Sequence, residues 1–392
     1  MELPLGFFYS SVYAGIRKAE KDDLALIVSM PEADAAAVFT QNKVAAAPVL
    51  LSKKNLKKSR GKVNALLINA GNANCATRTG MKVAERSVKA LAKELLVKEE
   101  RILPSSTGVI GVELDPTLIE TAIPALVVGI AAERFDDVAR AIMTTDLVMK
   151  TAGETVELAG GKVRIAGMTK GSGMIQPNMA TTLAYVMTDA EIPSAELDAI
   201  LRRTVKLSYN RLTVDGDTST NDTLVLLANG GSGVKPRKSE MAILEAAILR
   251  VLQNLTAQIA RDGEGARKLV RVLVSGAKKE SDAEKIGRAI ANSPLVKTAI
   301  AGSDPNWGRI LAAAGYSGAD FDPEKVDIYL QGKRVCKKGL AAPMDEAAMA
   351  KALNSKDVLI DFRIDGKGKG QAEFWTCDLT EGYIEINGSY RT

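Results

Sequence analysis

Apolar residues recur along the chain in two alternating rhythms. Short runs rich in β-branched and apolar residues, Leu24 to Val28, Ala37 to Phe39 and Val63 to Ile68, predict strands. Lys82 to Leu96 spaces its apolar residues three and four apart and predicts a helix, and Pro124 to Met143 carries the same helical spacing. Glu154 to Ala166, with Gly160-Gly161 at its middle, predicts a hairpin, because glycines accept the positive φ that tight two-residue turns demand. Thr181 to Thr188 predicts a further strand, and Pro193-Ser194 then opens a helix to about Leu207, with Ser194 as candidate N-cap. Met241, Leu244, Ile248, Val251, Leu252, Leu255 and Ile259 trace one face of an amphipathic helix that should stop at Asp262-Gly263, leaving Glu264 just beyond its end. After a strand at Leu269 to Ser275, the pattern predicts two helices, a strand, a short helix at about Asp345 to Leu353 and a hairpin over Val358 to Ile386. The whole reads as mixed α and β without internal repeats.

Composition narrows the chemistry. With 392 residues, 46% hydrophobic and 25% charged, the chain has the makeup of an ordinary globular protein large enough for two lobes. Its longest apolar run, Ala122 to Ala132, is interrupted by Pro124 and is too short to span a bilayer, so no membrane partner is expected. The start, Met1-Glu2-Leu3-Pro4, lacks the basic and apolar regions of a secretion signal, and Cys75, Cys336 and Cys377 lack Cys-x-x-Cys spacing, which together point to the cytoplasm. A net charge of +5 suggests an anionic ligand. The one dense basic run, Lys53 to Lys62, has no aromatic interleaving, and no nucleic-acid partner is expected. Gly366-Lys367-Gly368-Lys369-Gly370 lacks the order of a phosphate loop and reads as a hairpin tip.

Histidine is absent altogether. That excludes Ser-His-Asp and Cys-His nucleophilic arrangements and, with the cysteines unclustered, makes a zinc or copper site a poor fit, so no metal and no cofactor are expected. A threonine at a new chain start needs no histidine, because its own α-amine, with a pKa of roughly 7.7 to 8.0, can take the hydroxyl proton. The stretch Lys170-Gly171-Ser172-Gly173-Met174-Ile175-Gln176-Pro177-Asn178-Met179-Ala180-Thr181-Thr182 offers such a threonine after a glycine-rich and Pro-Asn turn. Asn69 to Asn74, Pro104 to Gly108 and Ser303 to Arg309 have the same loop-like, small-residue character, which plain turns also share. Thr213 to Asp222 is rich in side-chain oxygens but lacks calcium-loop spacing.

Taken together, these segments resemble the ornithine acetyltransferases, the glutamate N-acetyltransferases of arginine biosynthesis. Lys170-Gly171-Ser172-Gly173-Met174-Ile175 followed by Pro177-Asn178-Met179-Ala180-Thr181 looks like that family's self-cleavage motif. Val38-Phe39-Thr40, Gly71-Asn72-Ala73-Asn74, Ser106 to Gly111, Met143-Thr144-Thr145-Asp146, Asp215 to Asp222, Ser303 to Arg309 and Tyr390-Arg391-Thr392 extend the likeness over the whole chain. Only Cys75 to Gly80 departs from the family's continuation. The resemblance implies a sandwich of two β layers between helices, of the N-terminal-nucleophile type, with a smaller C-terminal α/β lobe at about 280–385. It implies a cut between Ala180 and Thr181 into an α chain, 1–180, and a β chain, 181–392, assembled as a heterotetramer of two of each. Thr181 is then the nucleophile, Thr107 and Gly108 the oxyanion hole, and Thr107, Lys170, Thr181, Glu264, Asn387 and Thr392 the substrate contacts. The Ile384-Glu385-Ile386 stretch is expected to deliver the last two as a strand end. The implied reaction moves an acetyl group from N-acetylornithine to glutamate by a ping-pong route, with acetyl-CoA left open as a second donor.

On residues alone, other readings stay open. Thr181, Glu264, Lys170 and Asn387 could each be structural, an aminopeptidase or amidohydrolase of the same kind would transfer to water, and a binding protein would keep an intact chain.

Overall fold

Residues 1–176 and 182–389 are described in the computed structural model of the chain. Its strands are β1 (Phe7–Val12), β2 (Leu24–Phe39), β3 (Lys62–Asn72), β4 (Ile102–Val109), β5 (Lys150–Leu158), β6 (Gly161–Lys170), β7 (Leu183–Thr188), β8 (Thr223–Ala228), β9 (Leu269–Ala277), β10 (Val326–Leu330), β11 (Lys333–Lys337), β12 (Leu340–Ala341), β13 (Asp357–Ile364) and β14 (Gly370–Cys377). Its helices are α1 (Ala47–Lys58), α2 (Gly80–Leu95), α3 (Pro116–Val128), α4 (Phe135–Ala141), α5 (Ser194–Lys206), α6 (Met241–Arg261), α7 (Glu280–Asn292), α8 (Pro294–Ala301), α9 (Trp307–Gly315), α10 (Glu346–Leu353) and α11 (Glu381–Ser389).

An eight-stranded sheet in the order β4-β3-β2-β8-β7-β6-β5, with β1 also on β2, folds over itself into two layers. Strand β2 makes the fold possible, and it is one 16-residue strand where the sequence predicts two shorter ones. Its first half pairs with β1 and β3; after a register shift between Val28 and Ala33 its second half pairs with β8. One face, carrying Ala25, Ile27, Ala33, Ala35 and Ala37, stays on the central core throughout. The other face changes company: Leu24, Leu26 and Val28 lie in the core with α2 and α3, whereas Ala36 and Val38 lie in the core with α5 and α6. Strands β6, β7 and β8 alternate in the same way between the central and the α5/α6 cores, as period-two side chains must. The result is the expected sandwich of helices, sheet, sheet and helices.

Short α4 puts Phe135, Val138, Ala139 and Ala141 into the central core, and the Phe135 ring meets Tyr9 edge-on at 5.2 Å and 88°. The predicted helical stretch Pro124 to Met143 is therefore two helices. Between them Tyr9 and Ala131 exchange two backbone bonds, 2.9 and 3.0 Å, which pull the chain onto β1. Pro193, not Ser194, occupies the cap of α5; Ser194 turns its N-H to Asp34 Oδ1 and packs where a Cβ on Gly61 would stand 2.6 Å away.

The second sheet, β12-β11-β10-β13-β9-β14, carries its own core with α7 to α10. Three helices, α7 to α9, lie between β9 and β10 where the pattern predicts two. The predicted hairpin at Val358 to Ile386 is absent: β13 runs parallel and β14 antiparallel to β9, which lies between them. The glycine-rich segment crosses the end of β9 so closely that a Cβ on Gly368 would stand 2.3 Å from the Gly276 carbonyl oxygen. Glu381 onward is helix, with Thr380 Oγ1 accepting from Gly382 N at 3.1 Å. No helix among the described residues is long and apolar enough to cross a membrane.

Phe135→Ala opens a large hole at the sandwich centre and should cost about 3–5 kcal/mol. Guanidinium unfolding measures this, and a loss below about 1 kcal/mol would mean that α4 is not integral to that core.

Candidate active site

Thr107, Gly108, Lys170, Glu264 and Asn387, far apart in sequence, line one cleft of about 250 Å³. Ala180, Thr181 and Thr392 lie outside the described residues. The cleft opens where β4 and β6 end, where β7 and β8 begin, just past α6, and against α11.

Thr107 and Gly108 end β4, paired in parallel register with Ala70 and Gly71 of β3. Gly108 has φ +130°, and a Cβ there would come 2.5 Å from the Gly71 carbonyl oxygen, so only glycine suits this close approach. Lys170 Nζ donates to Thr107 Oγ1 at 3.1 Å. Burial lowers the Lys170 pKa, and Asp146 opposes part of that drop. Asn221 ties the strands together below, its Nδ2 donating to the carbonyls of Ala73 (2.6 Å) and Ser106 (2.8 Å).

The glycine-rich segment after Lys170 is held by carboxylates. Asp146 Oδ1 accepts from Gly171 N at 2.7 Å, and Asp215 accepts from Met174 N and Ile175 N at 2.6 and 2.8 Å. Beneath it lies a buried ion triad, with Lys150 Nζ 2.6 Å from Asp146 Oδ1 and 2.5 Å from Asp262 Oδ2. Burial works against ionisation of Asp146, but the Lys170 and Lys150 ammonium groups outweigh it and hold its pKa at about 2. Ser172 Oγ donates to the Asp262 carbonyl, and Glu264 N donates to the Ser172 carbonyl, so the end of α6 and the segment are laced together at 2.6 and 3.0 Å. Helix α11 closes the far wall: Asn387 Nδ2 donates to Glu264 Oε2 at 2.8 Å and Tyr383 OH to Asp215 Oδ2 at 3.3 Å.

The ArgJ family model matches residues 9–392. The chain belongs to the ArgJ family. It is 46% identical to the arginine biosynthesis bifunctional protein ArgJ of Caldanaerobacter subterraneus subsp. tengcongensis, covering 100% of this chain and 98% of that one. It is 45% identical to the protein of the same name from Chlorobaculum tepidum, covering 99% and 96%. A crystal structure of arginine biosynthesis bifunctional protein argJ from Bacillus halodurans is similar at 38% identity and TM-score 0.49, over 52% of this chain and 96% of that one.

In this ArgJ-family chain, two segments with site-like composition do not line the cleft. Asn69 spends its side chain on Asn72, Gly71 and Ser106, and Asn306 caps α9 by accepting from Arg309 N. Their polar residues satisfy backbone groups at the end of β3 and the start of α9. Sequence reasoning passed over Tyr383 because α11 was expected as a strand, which hides the four-residue spacing that points Tyr383 and Asn387 the same way. No group of His, Cys, Asp and Glu suited to a metal occurs among the described residues.

Because the folded pKa of Asp146 lies below the usual carboxylate value, its contribution to stability is complete above about pH 4 and is lost as pH falls toward 2. Asp146→Asn should flatten the acid limb of the stability curve in that window. Lys150→Met, which leaves two buried carboxylates facing one another, should lower stability at neutral pH by about 3–5 kcal/mol. Chemical denaturation across acid and neutral pH reads both, and an unchanged acid limb in Asp146→Asn would assign it to other groups.

Proposed function

We propose that this chain is a glutamate N-acetyltransferase of arginine biosynthesis, moving the acetyl group of N-acetylornithine to glutamate through an ester on Thr181. The observation that carries this reading is the convergence of Thr107, Gly108, Lys170, Glu264 and Asn387 on one cleft whose wall continues through Thr182, the residue next to Thr181. The whole-length likeness to relatives named arginine biosynthesis bifunctional protein supports it.

The precursor cuts between Ala180 and Thr181, giving chains 1–180 and 181–392, the second containing the smaller C-terminal lobe. The freed Thr181 amine takes the hydroxyl proton as the oxygen attacks the acetyl carbonyl. Charge that develops on the carbonyl oxygen meets the Gly108 N-H and the Thr107 hydroxyl. Lys170 donates to Thr107 Oγ1, which leaves the threonine's own O-H free to point at that oxygen. The C-N bond then breaks, ornithine departs with the proton from the Thr181 ammonium, and the amine of glutamate takes the acetyl group from the ester. Lys170 supplies the cleft with a cation suited to the carboxylate end of an amino acid, and Glu264, on a wall that Asp215, Asp217 and Asp222 also line, supplies an anion suited to an ammonium end. The word bifunctional in the relatives' names supports a second activity, for which acetyl-CoA is the candidate donor. Two copies of each chain form a heterotetramer in the cytoplasm.

Wild-type protein should give two masses and Thr181→Ala one intact, inactive chain; an efficiently cut Thr181→Ala would overturn the nucleophile. Acetylornithine should be consumed only with glutamate present, whereas release of free acetate without glutamate would indicate a hydrolase.

Thr107→Ala should lower kcat on the order of 10²-fold while leaving two chains. Unchanged turnover in the folded variant removes Thr107 from the oxyanion hole.

A further inference from the structure

Strand β4, which carries Thr107 and Gly108, is the last strand of its sheet. Its inner side is paired with β3, and there the Val109 carbonyl accepts from Ala73 N at 2.9 Å. Carbonyls along a strand alternate between its two sides, so those of Ile102, Pro104 and Ser106 turn to the side that has no partner strand. Each is met by a buried side chain instead. Asn55 Nδ2 donates to the Ile102 carbonyl at 2.9 Å, Ser52 Oγ to that of Pro104 at 2.6 Å and Asn221 Nδ2 to that of Ser106 at 2.8 Å. Ser52 and Asn55 belong to α1, whereas Asn221 comes from the segment before β8 and lines the cleft itself.

Asn221 differs from the other two in what it grips. The Ser106 carbonyl belongs to the peptide that leads into Thr107, and the same Nδ2 also donates to the Ala73 carbonyl at 2.6 Å. Ser106 lies two residues before Gly108 and Ala73 two residues after Gly71, so one amide spans the place where those glycines crowd together. The amide has one usable orientation. Its Oδ1 accepts from Thr220 Oγ1 at 2.6 Å, and turning it over would set an oxygen against two carbonyl oxygens. A planar group with both N-H bonds and its oxygen engaged, only 5% exposed, fixes direction as well as distance.

We propose that Asn221 is the positioning residue of the oxyanion hole, holding the Thr107 hydroxyl and the Gly108 N-H at the angle that the developing oxyanion needs. This role rests on the hole proposed above and acts through Thr107 and Gly108. Donors that are already aimed cost no reorganisation when charge develops, and a displacement of about 1 Å is enough to lose on the order of 10²-fold in rate. An edge strand has no neighbour on its outer side to hold it to that tolerance, and the Asn221 amide supplies the hold at the one peptide next to Thr107. Substrate contacts assigned to Lys170, Glu264 and Asn387 are made elsewhere on the wall, so the loss falls on kcat and not on KM.

Steady-state kinetics of acetyl transfer from N-acetylornithine to glutamate, on protein whose two chains are counted by mass, test this. Asn221→Ala should lower kcat about 10- to 10²-fold and leave KM for acetylornithine within about twofold. Combined with Thr107→Ala, it should lose less than the product of the two single losses, because both act on one hole. Ser52→Ala, which uncaps only the Pro104 carbonyl, should keep the wild-type kcat. A folded Asn221→Ala with wild-type kcat, a loss confined to KM, or losses that multiply in the double variant would overturn the positioning role. An equal kcat loss in Ser52→Ala would overturn it too, since capping the strand edge anywhere would then account for the effect. If Asn221→Ala does not fold or does not separate into two chains, Thr220→Val decides, because it releases the amide oxygen without emptying the amide's place: kcat should fall with KM held, and an unchanged kcat counts against Asn221. A wild-type protein that makes no N-acetylglutamate from this pair overturns the proposed function, and this role with it.

Discussion

The buried Lys150 ammonium holds the active cleft to the frame around it. It sits at the start of β5 with no solvent contact and joins Asp146, from the loop before it, to Asp262, at the end of α6. Such a charge is tolerable only because both carboxylates reach it and are themselves satisfied by backbone N-H groups. Each bond made there fixes another part of the cleft. Asp146 takes Gly171, Asp262 takes Ser172 through its carbonyl, and Ser172 takes Glu264. Lys170 is thereby aimed at Thr107 across the gap between β6 and β4. An apolar plug at position 150 could fill the same volume but could not set these directions.

The cleft also depends on the bend in β2. Because that strand passes from one layer to the other, β4 and β6, from opposite halves of the sheet, end close to the same point. The run Ala33, Ala35, Ala36 and Ala37 gives the bent half a thin profile on both faces, so that α5 and the central core can approach together.

Much of this was legible in the amino-acid order. Strands with side chains alternating between two cores announce themselves by composition, and α6 by its apolar face. The Gly160-Gly161 hairpin followed from backbone freedom alone, and Leu158 does pair with Gly161. What failed were features set by distant contacts. Nothing local to 365–369 says that β9, about 90 residues earlier, will slide between β13 and β14. Ile384-Glu385-Ile386 looks strand-like by propensity, yet α11 forms there and turns Tyr383 and Asn387 to the cleft. The triad was equally hidden, since Asp146 and Asp262 are separated by more than a hundred residues and only folding sets them either side of Lys150. Lys170, Glu264 and the Thr107-Gly108 pair could be named beforehand because a family resemblance supplied the distance information that periodicity lacks.

The place of β7 in the sheet bears on what a break just before it would do. With its neighbour β8 it forms a two-strand insert whose outer edges are zipped to β6 on one side and β2 on the other. A chain divided there would not become two bodies resting against each other, since each piece would lack part of a single hydrogen-bonded fabric. The first piece alone would present two raw strand edges around a missing middle, and the second would carry two strands with nothing beside them. Such halves behave as a split protein. They should be recoverable only by folding together, and a cell that made them from separate messages would have to bring them together before either edge found another partner.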